Sequence, residues 1–222
     1  MHYMVIRTEN LTKTHHRRAI VNNLTIEVEP GEIYGFVGVQ GAGKSTTLRM
    51  LVNLIRPSSG RALLLGLNSQ SCHSAICRQV GYLPETFSPC ATTSGRHFFR
   101  SLEALHGPLD WAFVERIAGS FELDLDLPLA RLDAGIRRCL GLVQAFMHQP
   151  ELVILDEPTT GLEPTQKQAF FQLASQTRAA GSAVFFATHS LKDVEQICDR
   201  AAFIHQGSLV AVERGIQLRS RS

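Results

Sequence analysis

From Leu24 to Glu29 the apolar residues fall at 24, 26 and 28, an alternation that predicts a half-buried strand. Pro30-Gly31 turns the chain, and Glu32–Val37 then runs nearly all apolar, as a strand covered on both faces of a parallel sheet does. A glycine-rich loop at 38–43 leads into a helix predicted from Lys44 to about Ile55, with Pro57 and Gly60 beyond its end. Short strands are expected at Ala62–Leu65 and Gln79–Leu83. From about Pro89 to His148 the β-branched runs vanish. Phe98, Leu102 and Leu105 recur at helical spacing, as do Trp111, Val114, Ile117 and Ala118, so this stretch reads as a helical insert. Apolar strands return at Glu151–Leu155 and Ala183–Thr188. Between them a helix from about Glu163 to Ala180 carries Phe170, Leu173, Ala174 and Thr177 on one face and stops at Gly181. Strands at Ala201–His205 and Ser208–Val212 flank a Gln206-Gly207 turn. Strands alternating with helices predict an α/β fold with a mostly parallel sheet.

Composition narrows the function classes. With 222 residues, 44% hydrophobic and 19% charged, the chain is in the ordinary globular range and long enough to bury a core without staples. The longest clean apolar stretches, such as Leu152–Leu155 and Ala183–Ala187, fall far short of the roughly 20 residues a membrane helix needs. The N-terminus shows no secretory pattern. The net charge of +2 is spread out, and no run of five like charges marks a nucleic-acid arm, so no nucleic-acid partner is expected. Arg17-Arg18 and Arg137-Arg138 are short pairs read as solvated surface. Cysteines at 72, 77, 90, 139 and 198 are odd in number and irregular in spacing, which suits free thiols in a reducing compartment better than a metal site.

The chemistry starts at the glycine-rich loop. Gly38-Val39-Gln40-Gly41-Ala42-Gly43-Lys44-Ser45, followed by Thr46, matches the phosphate-binding pattern G-x-x-x-x-G-K-[ST], with a buried strand before it and a helix after it. The glycines let backbone N–H groups converge on phosphate without a Cβ in the way, and the helix N-terminus adds partial positive charge at the same point. Lys44 is placed to reach the β- and γ-phosphates, and the Ser45 hydroxyl to ligate Mg²⁺. Leu152–Glu157 is an apolar strand ending in two carboxylates, where a parallel strand meets the ligand crevice. Asp156 suits Mg²⁺ and Glu157 suits an attacking water. His189, directly after the strand at 183–188, is a candidate donor to the γ-phosphate.

With these residues in order, the chain resembles the ATP-binding subunits of ABC transporters over nearly its whole length. Glu29–Thr46 is similar to the family's first strand pair and Walker A loop, Leu152–Glu157 to Walker B with its catalytic glutamate, and Pro158–Pro164 to the D-loop region. Ala187-Thr188-His189-Ser190 resembles the switch histidine, and Asp193–Glu195, Cys198–Arg200 and Gly207–Val210 resemble the closing helix and hairpin. The resemblance implies a P-loop NTPase, RecA-like core with an N-terminal antiparallel strand layer and an inserted α-helical subdomain. As one ATPase domain over 1–222, it divides into a core at 1–85 and 149–222 and a helical subdomain at 86–148.

It also implies ATP and Mg²⁺ as ligands and a homodimer or heterodimer closing head to tail. A separate transmembrane subunit would be the partner, and the chain would sit on the cytoplasmic face of the membrane. Catalysis falls to Glu157, His189 and Lys44. The Q-loop position holds Glu85, on the metal side with Ser45 and Asp156, and Leu83-Pro84-Glu85 is an exporter-like form. His15 takes the place of the adenine-stacking aromatic, and Glu163 that of the D-loop aspartate. The signature L-S-G-G-Q/M aligns with Leu132-Asp133-Ala134-Gly135-Ile136, of which only Leu132 and Gly135 are kept. Asp133 would put a like charge toward the phosphate held by the opposite subunit, and would cap its own helix. Pairing with a subunit of intact signature is therefore a rival to a tolerant homodimer. A nucleotide-gated module with weak or no hydrolysis is the alternative function. A non-transport ATPase of DNA repair or translation would bring long coiled coils or a second ATPase unit, and neither occurs here. Phe87, Phe98 and Phe99 either receive a membrane-subunit helix or form plain core.

Overall fold

A computed structural model describes residues 3–16, 18–89 and 93–215. Cys90 and Arg17 lie outside them. The chain runs β1 (Ile6–His15), β2 (Arg18–Leu24), β3 (Glu27–Val28), β4 (Ile33–Val37), α1 (Lys44–Leu51), β5 (Ser59–Leu64), β6 (Leu67–Asn68), α2 (His73–Gln79) and β7 (Val80–Leu83). Three helices follow, α3 (Gly95–His106), α4 (Trp111–Ser120) and α5 (Ala134–Phe146). The chain closes with β8 (Leu152–Asp156), α6 (Pro164–Ala179), β9 (Ala183–Thr188), α7 (Leu191–Ile197), β10 (Arg200–His205) and β11 (Ser208–Arg214).

A six-stranded sheet has the order β11-β10-β4-β9-β8-β7, parallel throughout except for β11. Its central strands are buried at every position, and apolar at all but the last residue of β8 (Asp156) and of β9 (Thr188), because both faces are covered. Ile33, Val37, Val153, Leu155, Val184 and Phe186 point into one cluster with the inserted helices and α6. Their neighbours Tyr34, Phe36, Leu152, Ile154, Phe185 and Ala187 point into a second cluster, shared with α1 and the N-terminal strands. Those strands form an antiparallel layer of order β2-β1-β5-β6, with β3 on β1. At the sheet edge α5 lies directly on β7. A Cβ at Gly81 would stand 1.8 Å from the Ala145 carbonyl oxygen, so only glycine lets this helix approach.

Three expectations need correction. The helix at 44 ends at Leu51, not near Ile55. Asn53 turns left-handed at φ 56°, its N–H bonds the Met50 carbonyl and the Leu54 N–H bonds that of Arg49, which satisfies the last turn four residues before Pro57. The strand expected at 24–29 is split. Leu24, Ile26 and Val28 are all buried, as the alternation predicts, but Leu24 ends β2 and pairs with Leu11, whereas Val28 pairs with Ile6. In the insert, Leu105 is exposed, and Phe99 rather than Phe98 is the fully buried ring of α3. Phe99 is thus core, while Phe87 and Phe98 pack against it half-buried.

Candidate nucleotide site

Strand register assembles the site. Val37 of β4 stands beside Thr188 of β9, Ala187 beside Asp156 of β8, and Leu155 beside Leu83 of β7. The segments that leave these four strands therefore emerge side by side at the carboxyl edge of the sheet, where open α/β sheets bind ligands. They carry the loop at 38–43, Glu85, Glu157 and His189. An open cleft of about 1000 Å³ lies there, lined by the loop and first turn of α1, by Glu85–Ser88, by the start of α5, and by Glu157, Thr160, Gly161 and His189.

Gly43 precedes α1 at φ 106°, a conformation that a Cβ would strain, and no side chain among the described residues caps the helix. Its first N–H groups are therefore directed at the cleft without an internal acceptor, which is what an anion site requires. Lys44, 7% exposed, donates from Nζ to the carbonyls of Gly38 (2.7 Å) and Val39 (3.2 Å). The same Nζ stands 3.3 Å from Glu157 Oε1, and Glu157 Oε2 is 2.9 Å from His189 Nδ1. The three catalytic candidates thus form one chain in which the carboxylate is held between two nitrogen groups.

Glu157 itself has φ 49°, unusual for a residue with a Cβ. Its N–H bonds the Ala187 carbonyl and its own carbonyl accepts the Thr160 N–H. Two residues on, the Thr159 hydroxyl donates to buried Asp193, which also pairs with Lys167, so the loop after Glu157 is pinned to α7.

Behind Glu157, Asp156 is fully buried, and neither carboxylate oxygen has a hydrogen-bond partner among the described residues. Burial pushes its carboxyl up, and the Ser45 hydroxyl beside it pulls the other way. Ser45 Oγ in turn lies 3.4 Å from Glu85 Oε2. An orphaned buried carboxylate next to a serine hydroxyl fits a hard divalent cation, which would satisfy the oxygens the protein leaves unpaired.

The cleft brings together Val39, Gln40, Gly41, Gly43, Lys44, Ser45, Thr46, Glu85, Gly135, Glu157 and His189. Gly38 and Ala42 stand behind them in the loop, and Asp156 stands beneath. His15 does not line the cleft. It is exposed on the β1–β2 hairpin, edge-on to His16, and the apolar lining residue from this hairpin is Ile20. Asp133 also stays out of the cleft. Its carboxylate caps α5, accepting the Ile136 N–H at 2.8 Å.

One expectation fails outright. The pair Arg137-Arg138 is not solvated surface. Arg138 is 7% exposed and reaches under the site, and Arg137 is half-buried with its guanidinium on the Leu132 carbonyl. Two charges in sequence gave no hint of this. The signal that could have been weighed is that Arg138, Leu142 and Ala145 lie on one face of a helix otherwise rich in apolar residues.

A family model described as ABC transporter matches residues 21–160. The bacitracin transport ATP-binding protein BcrA of Bacillus licheniformis is 33% identical over 210 residues, covering 93% of this chain and 68% of that protein. The Nod factor export ATP-binding protein I of Burkholderia lata is 32% identical over 214 residues, covering 91% and 68%. Among solved structures, an ATP-binding subunit of an ABC transporter superposes with a TM-score of 0.89 at 26% identity, covering 98% of this chain and 92% of that one.

Proposed function

Because the chain belongs to the ABC transporter family, we propose that it is the ATP-binding and hydrolysing subunit of an exporter, docked on the cytoplasmic face of a separate membrane-spanning subunit. No helix among the described residues is long and apolar enough to cross a membrane, and the reading, which rests on the family, assigns the transport path to another polypeptide. The whole chain acts as one ATPase unit, with 1–85 and 149–222 as core and 86–148 as helical subdomain. The single observation that carries the reading is the chain Lys44–Glu157–His189 beside the uncapped N-terminus of α1.

The β- and γ-phosphates sit over the N–H groups at 43–46, and a phosphate oxygen replaces Glu157 as the partner of Lys44. Glu157, released from the lysine, accepts a hydrogen bond from the attacking water and orients it in line. His189 donates to the γ-phosphate as charge builds. Ser45 and Asp156 would hold Mg²⁺, with Glu85 next to the serine hydroxyl. Bound there, the ion supplies charge neutralisation on the phosphate oxygens. The test is ATP turnover by the purified chain, alone and with its membrane subunit. Absence of turnover in both, with ATP bound, would leave the gated module without hydrolysis as the better reading.

Two such subunits close head to tail, each signature segment covering the phosphate held by the other. The capping bond of Asp133 favours a specific form of this, in which the partner subunit carries an intact signature. In that form Asp133→Ser combined with Ala134→Gly raises the turnover of this chain alone by about tenfold, through removal of a like charge and release of helix N–H groups. Equal turnover of the two proteins would instead identify a homodimer that tolerates the change.

A further inference from the structure

Arg138 lies just over one turn into α5, on the side facing the sheet, and its guanidinium ends among four backbone carbonyls. Nη1 donates to those of Pro84 (2.7 Å) and Glu85 (3.0 Å). Nη2 donates to those of Asp156 and Glu157, the latter at 2.6 Å. One side chain therefore joins three pieces of chain: the helix that starts at the signature segment, the loop after β7, and the end of β8.

Arginine is an expensive residue to place here. It is buried, its Nε has no partner among the described residues, and its Nη1 and Nη2 donate to backbone carbonyls rather than to a carboxylate. Burial lowers its proton affinity, and Asp156, Glu157 and Glu85, all close by, raise it. A helix that needed only packing at this position would be better served by an apolar side chain. What the guanidinium provides is a planar fork that meets two carbonyls on each side at fixed spacing.

The carbonyl it holds at Glu157 belongs to a residue with left-handed backbone. Such a conformation persists only where its surroundings over-determine it. The N–H of Glu157 is fixed by Ala187 and its carbonyl by Thr160 and Arg138. This backbone setting turns the Glu157 side chain up into the cleft toward Lys44 and His189.

We propose that Arg138 is the positioning residue for Glu157: it locks the backbone that aims the hydrolytic carboxylate, and ties that carboxylate and the Glu85 loop to movements of α5. Arg138 touches carbonyls rather than reacting atoms, so it acts on the rate of hydrolysis and leaves nucleotide binding alone. The inference rests on the ATPase reading above.

The experiment uses the full-length chain and three variants, Arg138→Lys, Arg138→Gln and Glu157→Gln. Steady-state turnover and equilibrium binding of a fluorescent ATP analogue are measured side by side. Misaiming a carboxylate by less than 1 Å is expected to lower kcat by about ten- to a hundredfold in both Arg138 variants. KM and analogue affinity stay within about twofold of the unmodified chain. Lysine keeps the charge but lacks the fork, so it separates geometry from charge and serves as the deciding variant if Arg138→Gln does not fold. A kcat for Arg138→Lys within about twofold of the unmodified chain overturns the proposal, as does a parallel fall in kcat and nucleotide affinity. Glu157→Gln separates the two readings: if it hydrolyses ATP as fast as the unmodified chain, the reading of the site has failed, whatever Arg138 does.

Discussion

Glu157→Gln is expected to lower ATP turnover by roughly two to four orders of magnitude, the range lost when a positioned general base is removed, while nucleotide affinity holds or rises. The first part follows from chemistry: a neutral amide cannot take up a proton from the attacking water. The second follows from the geometry of this chain. In the structure Glu157 Oε1 is the charged partner of Lys44 at 3.3 Å, and the carboxylate is only 12% exposed, so solvent screens the pair little. Phosphate must take Lys44 away from it. Glutamine abolishes that competition, so the variant binds ATP at least as tightly as the parent and then fails to turn it over. Single-turnover hydrolysis and equilibrium titration separate the two effects. An affinity loss larger than about tenfold, equivalent to 1.4 kcal/mol, would mean that the ion pair holds the loop together instead of competing with phosphate.

The parts of this site that sequence reveals are those fixed by local chemistry. Gly43 is legible because its backbone angle suits glycine and because a lysine and a serine follow it at a helix start. Asp133 is legible as a cap because the first helical residue comes next and the acceptor is its own side chain. Asp156 and Glu157 are legible because an unbroken apolar run means a strand covered on both faces, whose end must meet the ligand edge.

What stays hidden depends on contacts distant in the chain. Arg138 reads as surface because charge beside charge is normally solvated, and the four carbonyls that receive it come from segments 18 or more residues away. Ile20, which lines the cleft, comes from a hairpin whose register, with irregularities between Leu11 and Thr14, is not legible in the hydrophobic pattern. The early stop of α1 hides for a related reason. Leu54 and Ile55 continue the apolar pattern, but the left-handed turn at Asn53 satisfies the last carbonyls first.

Lys44→Ala is expected to weaken ATP binding about a hundredfold, in the lower part of the range for truncating one member of a buried charged pair. Its informative feature is what it does to the other variant. If Glu157→Gln tightens binding only by freeing Lys44, that gain must vanish when Lys44 is already gone. The two substitutions should therefore be non-additive in affinity, with Lys44→Ala and Lys44→Ala/Glu157→Gln binding equally. Stability of the nucleotide-free chain should show the opposite coupling. Lys44→Ala leaves a nearly buried carboxylate with only the exposed His189 beside it, which lowers the melting temperature. Adding Glu157→Gln removes the stranded charge and recovers part of the loss. Thermal melts and nucleotide titrations of the four proteins close both cycles. Additive affinities would show that Lys44 and Glu157 bind phosphate independently, and the exchange of partners at Lys44 would then be no part of nucleotide entry.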